Sequence, residues 1–245
     1  MIVLIALLAA TPPAGPNAAA LEKSCNGGKA AACDALGSRY TDGIGVRRNE
    51  TRAAALYRKA CEGKDQDGCA DAAHALALGA GVEANTSEAL PRLEKLCKAG
   101  RTRACGHLGD LFFRGLGAPQ DSTRAEGLLR GACQKGYARA CTNLASALRP
   151  GNDAAQVEDL ALRGCDLGDP VGCAFLGDLY VSSGDALRAT LYLSRACEAG
   201  LPRGCGGQGA LLVGSGADPK RGRELLQKAC DAGDVRACDV LRDLK

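Results

Sequence analysis

The sequence predicts an all-α solenoid of antiparallel helix pairs, stapled by a disulfide bond at every junction between pairs. Three observations predict it. Fourteen cysteines fall into seven pairs with one internal spacing, C-x7-C: Cys25 with Cys33, Cys61 with Cys69, Cys97 with Cys105, Cys133 with Cys141, Cys165 with Cys173, Cys197 with Cys205 and Cys230 with Cys238. The first cysteines of successive pairs stand 36, 36, 36, 32, 32 and 33 residues apart, a period that marks a repeat array whose units contact their neighbours. Between the pairs, apolar residues recur at helical spacing and glycines recur at turn positions.

The first helix of each unit, helix A, is read from its second cysteine. Leu36, Ala72, Leu108, Leu144, Leu176, Gln208 and Leu241 stand three residues on, and Tyr40, Leu76, Phe112, Leu148, Tyr180 and Leu212 seven on. Between them sits a small residue (Gly37, Ala73, Gly109, Ala145, Gly177 or Gly209), which lets a neighbouring helix approach closely. A glycine-bearing turn then ends helix A: Gly43-Ile-Gly45-Val46, Gly79-Ala-Gly81-Val82 and Gly115-Leu-Gly117-Ala118. Later units carry Pro150-Gly151, Ser183-Gly184 and Gly214-Ser-Gly216-Ala217. Glycine supplies the positive φ that stops a helix and turns the chain.

Helix B follows. Asn49, Thr86, Ser122, Asp153 and Asp218 are its N-cap or near-cap residues. Tyr57, Leu93, Leu129, Ala161, Leu193 and Leu226, four residues before each first cysteine, form its apolar line. Pro91 inside the second B helix predicts a kink or a late start. Within one continuous helix, eight residues rise about 12 Å, beyond the roughly 7 Å that a disulfide tolerates between Cα atoms. A glycine between the cysteines (Gly28, Gly63, Gly100, Gly136, Gly168, Gly200, Gly233) breaks the helix and folds the second cysteine back beside the first. Each bridge then staples helix B of one unit to helix A of the next. Zinc is disfavoured, because its sites use C-x2-C-type spacing and recruit histidine, and the chain has only two histidines. Reduced structural thiols are the other reading. The even count in regular pairs favours oxidation and an oxidising compartment.

The balance of 31 basic and 28 acidic residues, net +3, argues against nucleic acid or an anionic membrane as partner. Aromatics at 3%, with no Trp, exclude base-stacking platforms. The apolar run Ile2 to Ala10 is too short to span a bilayer. It resembles the core of a secretion signal, with small-residue cleavage points after Ala10 or Ala20, although no Lys or Arg precedes it. Residues 1–20 are accordingly read as a secretion signal or disordered N-terminus and 21–245 as the repeat array. No cysteine follows the apolar run in a lipobox-like context, so no lipid anchor is expected.

The stretch Ala32-Cys33-Asp34-Ala35-Leu36-Gly37-Ser38-Arg39-Tyr40-x-x-Gly43-x-Gly45-Val46, followed by Ala53-x-x-x-Tyr57-x-Lys59-Ala60-Cys61, resembles the Sel1-like repeat, a relative of the tetratricopeptide repeat. With cysteines at both helix ends, the chain is similar to the secreted, cysteine-rich Hcp proteins of Helicobacter. The resemblance covers about residues 21–245, as six full units plus a terminal A helix. It implies a right-handed superhelical solenoid in a bacterial periplasm or outside the cell. Units four to six lose three or four residues at the A–B turn, which predicts tighter turns and a locally different pitch. Functionally the resemblance points two ways: Sel1-like repeats act as adaptor scaffolds, and Hcp proteins are described as penicillin-binding with weak β-lactamase activity. A eukaryotic relative is a cytochrome c oxidase assembly factor, but the N-terminus lacks the Arg/Ser-rich amphipathic character of a transit peptide.

The residues themselves offer little chemistry. S-x-x-K, S-D-N, K-T-G, H-E-x-x-H, G-x-S-x-G and the P-loop motif are all absent, so no catalytic residue, cofactor or metal ligand is assigned. His74 and His107 are read as ordinary surface histidines rather than catalytic bases. One polar line stands out, five residues after the second cysteine: Ser38, His74, Asp110, Ser146 and Asp178, with Arg39 and Arg114 nearby. On a solenoid, equivalent A-helix positions line up along one face, and these seven residues mark a concave surface for an extended peptide or small acidic ligand. An ordinary solvated helix face is the competing reading. Asp110 and Asp178 lie two units apart and are not expected to act as an acid/base couple. The function expected is an exported scaffold binding a protein or peptide. The alternative is a β-lactam-binding or -hydrolysing protein, which would take a β-lactam or cell-wall-like ligand.

Overall fold

The computed structural model describes residues 17–117, 119–148 and 154–244. Residues 1–16 of the expected secretion signal, the turn at Pro150-Gly151 and the cap residue Asp153 lie outside them. The described residues form fourteen α-helices and no strand. In chain order these are α1 (Ala18–Asn26), α2 (Ala30–Asp42), α3 (Glu50–Glu62), α4 (Gln66–Leu78), α5 (Thr86–Lys98), α6 (Thr102–Arg114) and α7 (Ser122–Gln134). They continue as α8 (Ala138–Leu148), α9 (Ala154–Asp166), α10 (Pro170–Ser182), α11 (Ala186–Glu198), α12 (Pro202–Gly214), α13 (Pro219–Asp231) and α14 (Val235–Asp243). Six A/B pairs, α2/α3 through α12/α13, are flanked by a lone B-type helix, α1, and a lone A-type helix, α14. Helix α1 begins ahead of residue 21, with the Asn17 side chain accepting the Ala20 amide at 2.9 Å.

Each helix packs on the next, and successive A helices also touch one another. The A helices therefore form the inner layer of the solenoid and the B helices the outer. The line four residues before the first cysteine is buried in every unit. The small residue on helix A accounts for how close the layers come. A Cβ on Gly37 would lie 2.6 Å from the Tyr57 ring, and one on Gly177 2.5 Å from Leu193 Cγ. The B helices α3, α5, α7, α11 and α13 start at caps in one register: Asn49, Asn85, Asp121, Asp185 and Asp218 each accept a backbone amide three residues on. Thr86 and Ser122 are the first helical residues behind these caps. Helix α5 does not start late: it runs from Thr86 through Pro91 to Lys98.

Seven disulfides form as the spacing predicts, each joining a B helix to the following A helix. Cys25 bonds Cys33 with the Cα atoms 4.7 Å apart, Cys61 bonds Cys69 at 4.3 Å, and Cys97 bonds Cys105 at 4.7 Å. Cys133 bonds Cys141 at 4.7 Å, and Cys165 bonds Cys173 at 4.6 Å. Cys197 bonds Cys205 at 4.4 Å, and Cys230 bonds Cys238 at 4.8 Å. All seven second cysteines thus serve as staples and none is a free thiol, which sets aside the reading of reduced structural cysteines. At each junction one residue takes positive φ and the next donates its amide to the carbonyl five residues back, as Asp65 does to Ala60 at 3.0 Å and Asp234 to Ala229 at 2.9 Å. Glycine is the positive-φ residue in six junctions. In the second it is Lys64 (φ 66°), not Gly63, so one glycine of the expected set sits a residue out of register.

The shortened turn keeps the closing bond of the long one. In the long turns the cap amide bonds the carbonyl of the residue seven after the cysteine: Asn49 to Tyr40 at 2.9 Å, Asn85 to Leu76 at 2.9 Å. In the short turn Asp185 bonds Tyr180 at 2.9 Å. The residues lost come from inside this loop, tightening the turn without moving the helix ends.

Candidate functional site

The inner face carries a ladder of ionisable groups that crosses the repeats. Arg103 on α6 donates through one nitrogen to Asp34 on α2 (2.8 Å) and Asp71 on α4 (2.7 Å). The other oxygen of Asp71 lies 2.5 Å from His107 Nε2. The His107 ring stacks on His74 at 4.1 Å between centroids. His74 Nε2 lies 3.0 Å from Asp110, whose same oxygen accepts from Arg114 Nε at 2.9 Å. Further along, Arg139 on α8 binds Asp42 at the end of α2 (2.8 Å) and Asp169 ahead of α10 (3.0 Å). Thr142 donates to Asp169 at 2.7 Å. Asp178 pairs with Arg203 on α12, and Arg236 on α14 reaches it at 3.9 Å.

Burial sets the protonation of this ladder. Asp34 is 7% exposed, and its burial, then the negative charge of Asp71, push its carboxyl up to about 8. Burial also opposes ionisation of Asp71, but the His107 hydrogen bond and the positive charges beside it, Arg103 included, outweigh that and hold it well below the carboxylate range. His107 is pushed down to about 4, chiefly by burial and then by positive charge at His74. Asp110 is lowered because its bonds to His74 and Arg114 overcome its burial. At neutral pH the cluster is a protonated Asp34 beside an ionised Asp71, with His107 neutral. It contains no serine, cysteine or lysine, and among the described residues no group of three or more His, Cys, Asp or Glu converges where a metal ion could sit.

The structure brings His74, Asp110 and Arg114 together and separates them from Asp178. Ser38 lies at the Tyr57 hydroxyl, and Arg39 donates to the Ile44 carbonyl at 3.5 Å, so both serve the first unit. Ser146 faces solvent. The surface reading of the histidines is corrected: His107 is 7% exposed, and the His74 side chain 18%. Their rings stack where successive A helices touch, and each finds a carboxylate on a neighbouring helix. The sequence reading missed Asp34, Asp71, Arg103 and Arg139. A signal for the arginines existed, since Arg103, Arg139, Arg203 and Arg236 stand two residues before Cys105, Cys141, Cys205 and Cys238.

No curated protein sequence matches the chain. Among solved structures, a protective antigen of uropathogenic Escherichia coli with an SLR fold is 23% identical, with a TM-score of 0.62 over 93% of this chain and 51% of the antigen. This chain thus spans about half the length of that antigen. A Sel1 repeat protein from Oxalobacter formigenes is 24% identical, with a TM-score of 0.58 over 82% of this chain and 85% of its own. An immunity protein from Pseudomonas aeruginosa, Pa5087, is 19% identical, with a TM-score of 0.52 over 76% of this chain and 74% of its own. These likenesses are of fold. The Sel1 repeat profile matches residues 30–65, 67–90, 102–137, 165–201 and 205–234, and with most of its length so matched the chain belongs to the Sel1 repeat family.

Proposed function

We propose that the chain is an exported Sel1 repeat scaffold that binds a protein or peptide partner through the open part of its inner face. A contrast along that face carries the proposal. In units 3 and 4 Arg103 and Arg139 are each paired with two carboxylates, and their side chains are 26% and 30% exposed. Farther on, Arg203 and Arg236 share the carboxylate of Asp178, with Asp234 a further 4.0 Å contact of Arg236, and their side chains are 38% and 61% exposed. These two guanidinium groups offer donors to an acidic partner side chain or a C-terminal carboxylate. Export is supported by seven disulfides, which persist in oxidising compartments. No helix among the described residues is long and apolar enough to cross a membrane. The Asn17 cap of α1 supports a signal ending ahead of residue 17, as at Ala10.

Crosslinking and affinity capture from the native envelope, read by mass spectrometry, tests the scaffold. The oxidised chain is expected to retain a defined partner that a variant combining Arg203→Ala with Arg236→Ala loses. Equal retention by both forms would remove the inner face from the proposal. The β-lactam reading rests on resemblance alone: among the described residues no serine hydroxyl bonds a histidine or lysine, and no cysteine is free. Nitrocefin turnover by purified oxidised protein would reopen it.

A further inference from the structure

All seven disulfides are local, each spanning a sequence separation of 8 and joining consecutive helices. None ties the first units to the last. Yet the first and last units touch. In units 2 and 3 the A–B turn lies on the start of the preceding B helix: a Cβ on Gly81 would fall 2.2 Å from the Glu50 carbonyl, and one on Gly117 2.2 Å from Thr86 Cγ2. The corresponding turn of unit 1 finds its seat across the superhelix. A Cβ on Gly43 would lie 3.3 Å from Pro202 Cγ and 3.7 Å from the Ala232 carbonyl oxygen. A Cβ on Gly200 would lie 3.4 Å from Ile44 Cγ2 and 3.7 Å from the Gly45 nitrogen.

The receiving surface fits this contact. Ile44 packs on the core cluster that contains Leu201. Leu201 occupies the N-cap of α12 and makes no side-chain cap bond there, whereas Asp65, Asp169 and Asp234 cap their A helices. It is 4% exposed instead. Lys29 and Arg101 also leave their helices uncapped, but they are charged, whereas an apolar residue stands here where the first turn lands. Beside it, both Asp42 oxygens accept from Arg139, at 2.8 and 3.4 Å, across 97 residues of sequence.

We propose that residues 42–46 are a releasable clasp: Ile44 and the Asp42–Arg139 pair hold the superhelix closed, and their release opens the inner face to a partner. The consequence for binding rests on the scaffold reading; the opening itself does not. Local staples join each B helix to the following A helix, so closure, like the A/B packing within a unit, is left entirely to noncovalent contact.

The test uses the full oxidised chain and the variants Ile44→Asp and Asp42→Ala. Hydrogen exchange at 43–46 and at 200–203 should quicken several-fold. Phenylglyoxal labelling of Arg139 should quicken likewise, and the radius of gyration in solution scattering should rise. Helix content by circular dichroism should hold. If Ile44→Asp loses helix content, Asp42→Asn, which keeps the size of the side chain, carries the same comparison. Unchanged exchange, labelling and radius in the helical variants would overturn the clasp. If no form captures a partner, the scaffold reading fails while exchange and labelling still decide the clasp. If a partner is captured, the opened variants should hold more of it, and equal capture would refute gating.

Discussion

Asp34 and His107 titrate against each other, and the structure fixes where the balance tips. Asp34 is raised from 3.8 to about 8. Between those values the folded chain holds a proton that the unfolded chain has released, so this group's contribution to stability is full at low pH and falls as pH rises. His107 is lowered from 6.5 to about 4. Over that interval the unfolded chain holds the extra proton, so stability rises with pH. Each slope is about 1.4 kcal/mol per pH unit. From about pH 4 to 6.5 the two cancel. From 6.5 to 8 only Asp34 acts, and stability should fall by about 2 kcal/mol. The depressed pKa values of Asp71 and Asp110 act below this window. Urea unfolding of the oxidised chain across pH 4 to 9 measures the profile. Asp34→Asn, which retains an uncharged group where the protonated acid stood, should abolish the fall. His107→Gln, which keeps a donor toward Asp71, should make the fall begin near pH 4. Parallel profiles for the wild type and Asp34→Asn between pH 6.5 and 8 would refute the assigned protonation of the pair.

Lys64→Gly should raise the urea midpoint, because a lysine held at φ 66° costs about 1–2 kcal/mol, of which glycine's flexibility returns part. Gly81→Ala and Gly100→Ala should separate although both glycines have positive φ. The first meets backbone at 2.2 Å and should lose about 3 kcal/mol or more by thermal melting, and the second faces open space and should lose about 1–2. Removing one bridge by combining Cys197→Ser with Cys205→Ser should cost about 2.5 kcal/mol in the chain-entropy account of so short a loop. Intact mass before and after reduction should differ by fourteen hydrogens, one for each cysteine.

What the sequence revealed follows the distance over which each feature is decided. The cysteine pairing, the buried line from Tyr57 to Leu226 and the close approach at Gly37 and Gly177 are settled within one unit, and a regular period displays them. Lys64 is not legible from residue type, because the glycine beside it, Gly63, has φ −76° and does not make the turn, which only the register of the junction places at Lys64. Pro91 does not delay α5, because the Asn85 cap and the apolar positions around it start the helix at Thr86 in the register of its sister helices. The ladder was hidden for another reason. Asp34 meets Arg103 across 69 residues and Asp42 meets Arg139 across 97, neither a single repeat length. These pairs are fixed by how tightly successive units are wound, which depends on every junction at once.

The same division of distance explains why the inner face is half sealed. A solenoid held only by nearest-neighbour contacts has the same surface in every unit. Here the winding brings the first unit over the last ones, and carboxylates from units 1 and 2 reach arginines that would otherwise line the groove. Arg103 and Arg139 are thereby taken up within the chain. Arg203 and Arg236 lie past the reach of those carboxylates and share Asp178. On the proposed scaffold reading, what this face can bind is set by what the chain's own first units leave unpaired. A change of pitch, such as release of the turn at Ile44, would then alter that capacity without touching Arg203 or Arg236.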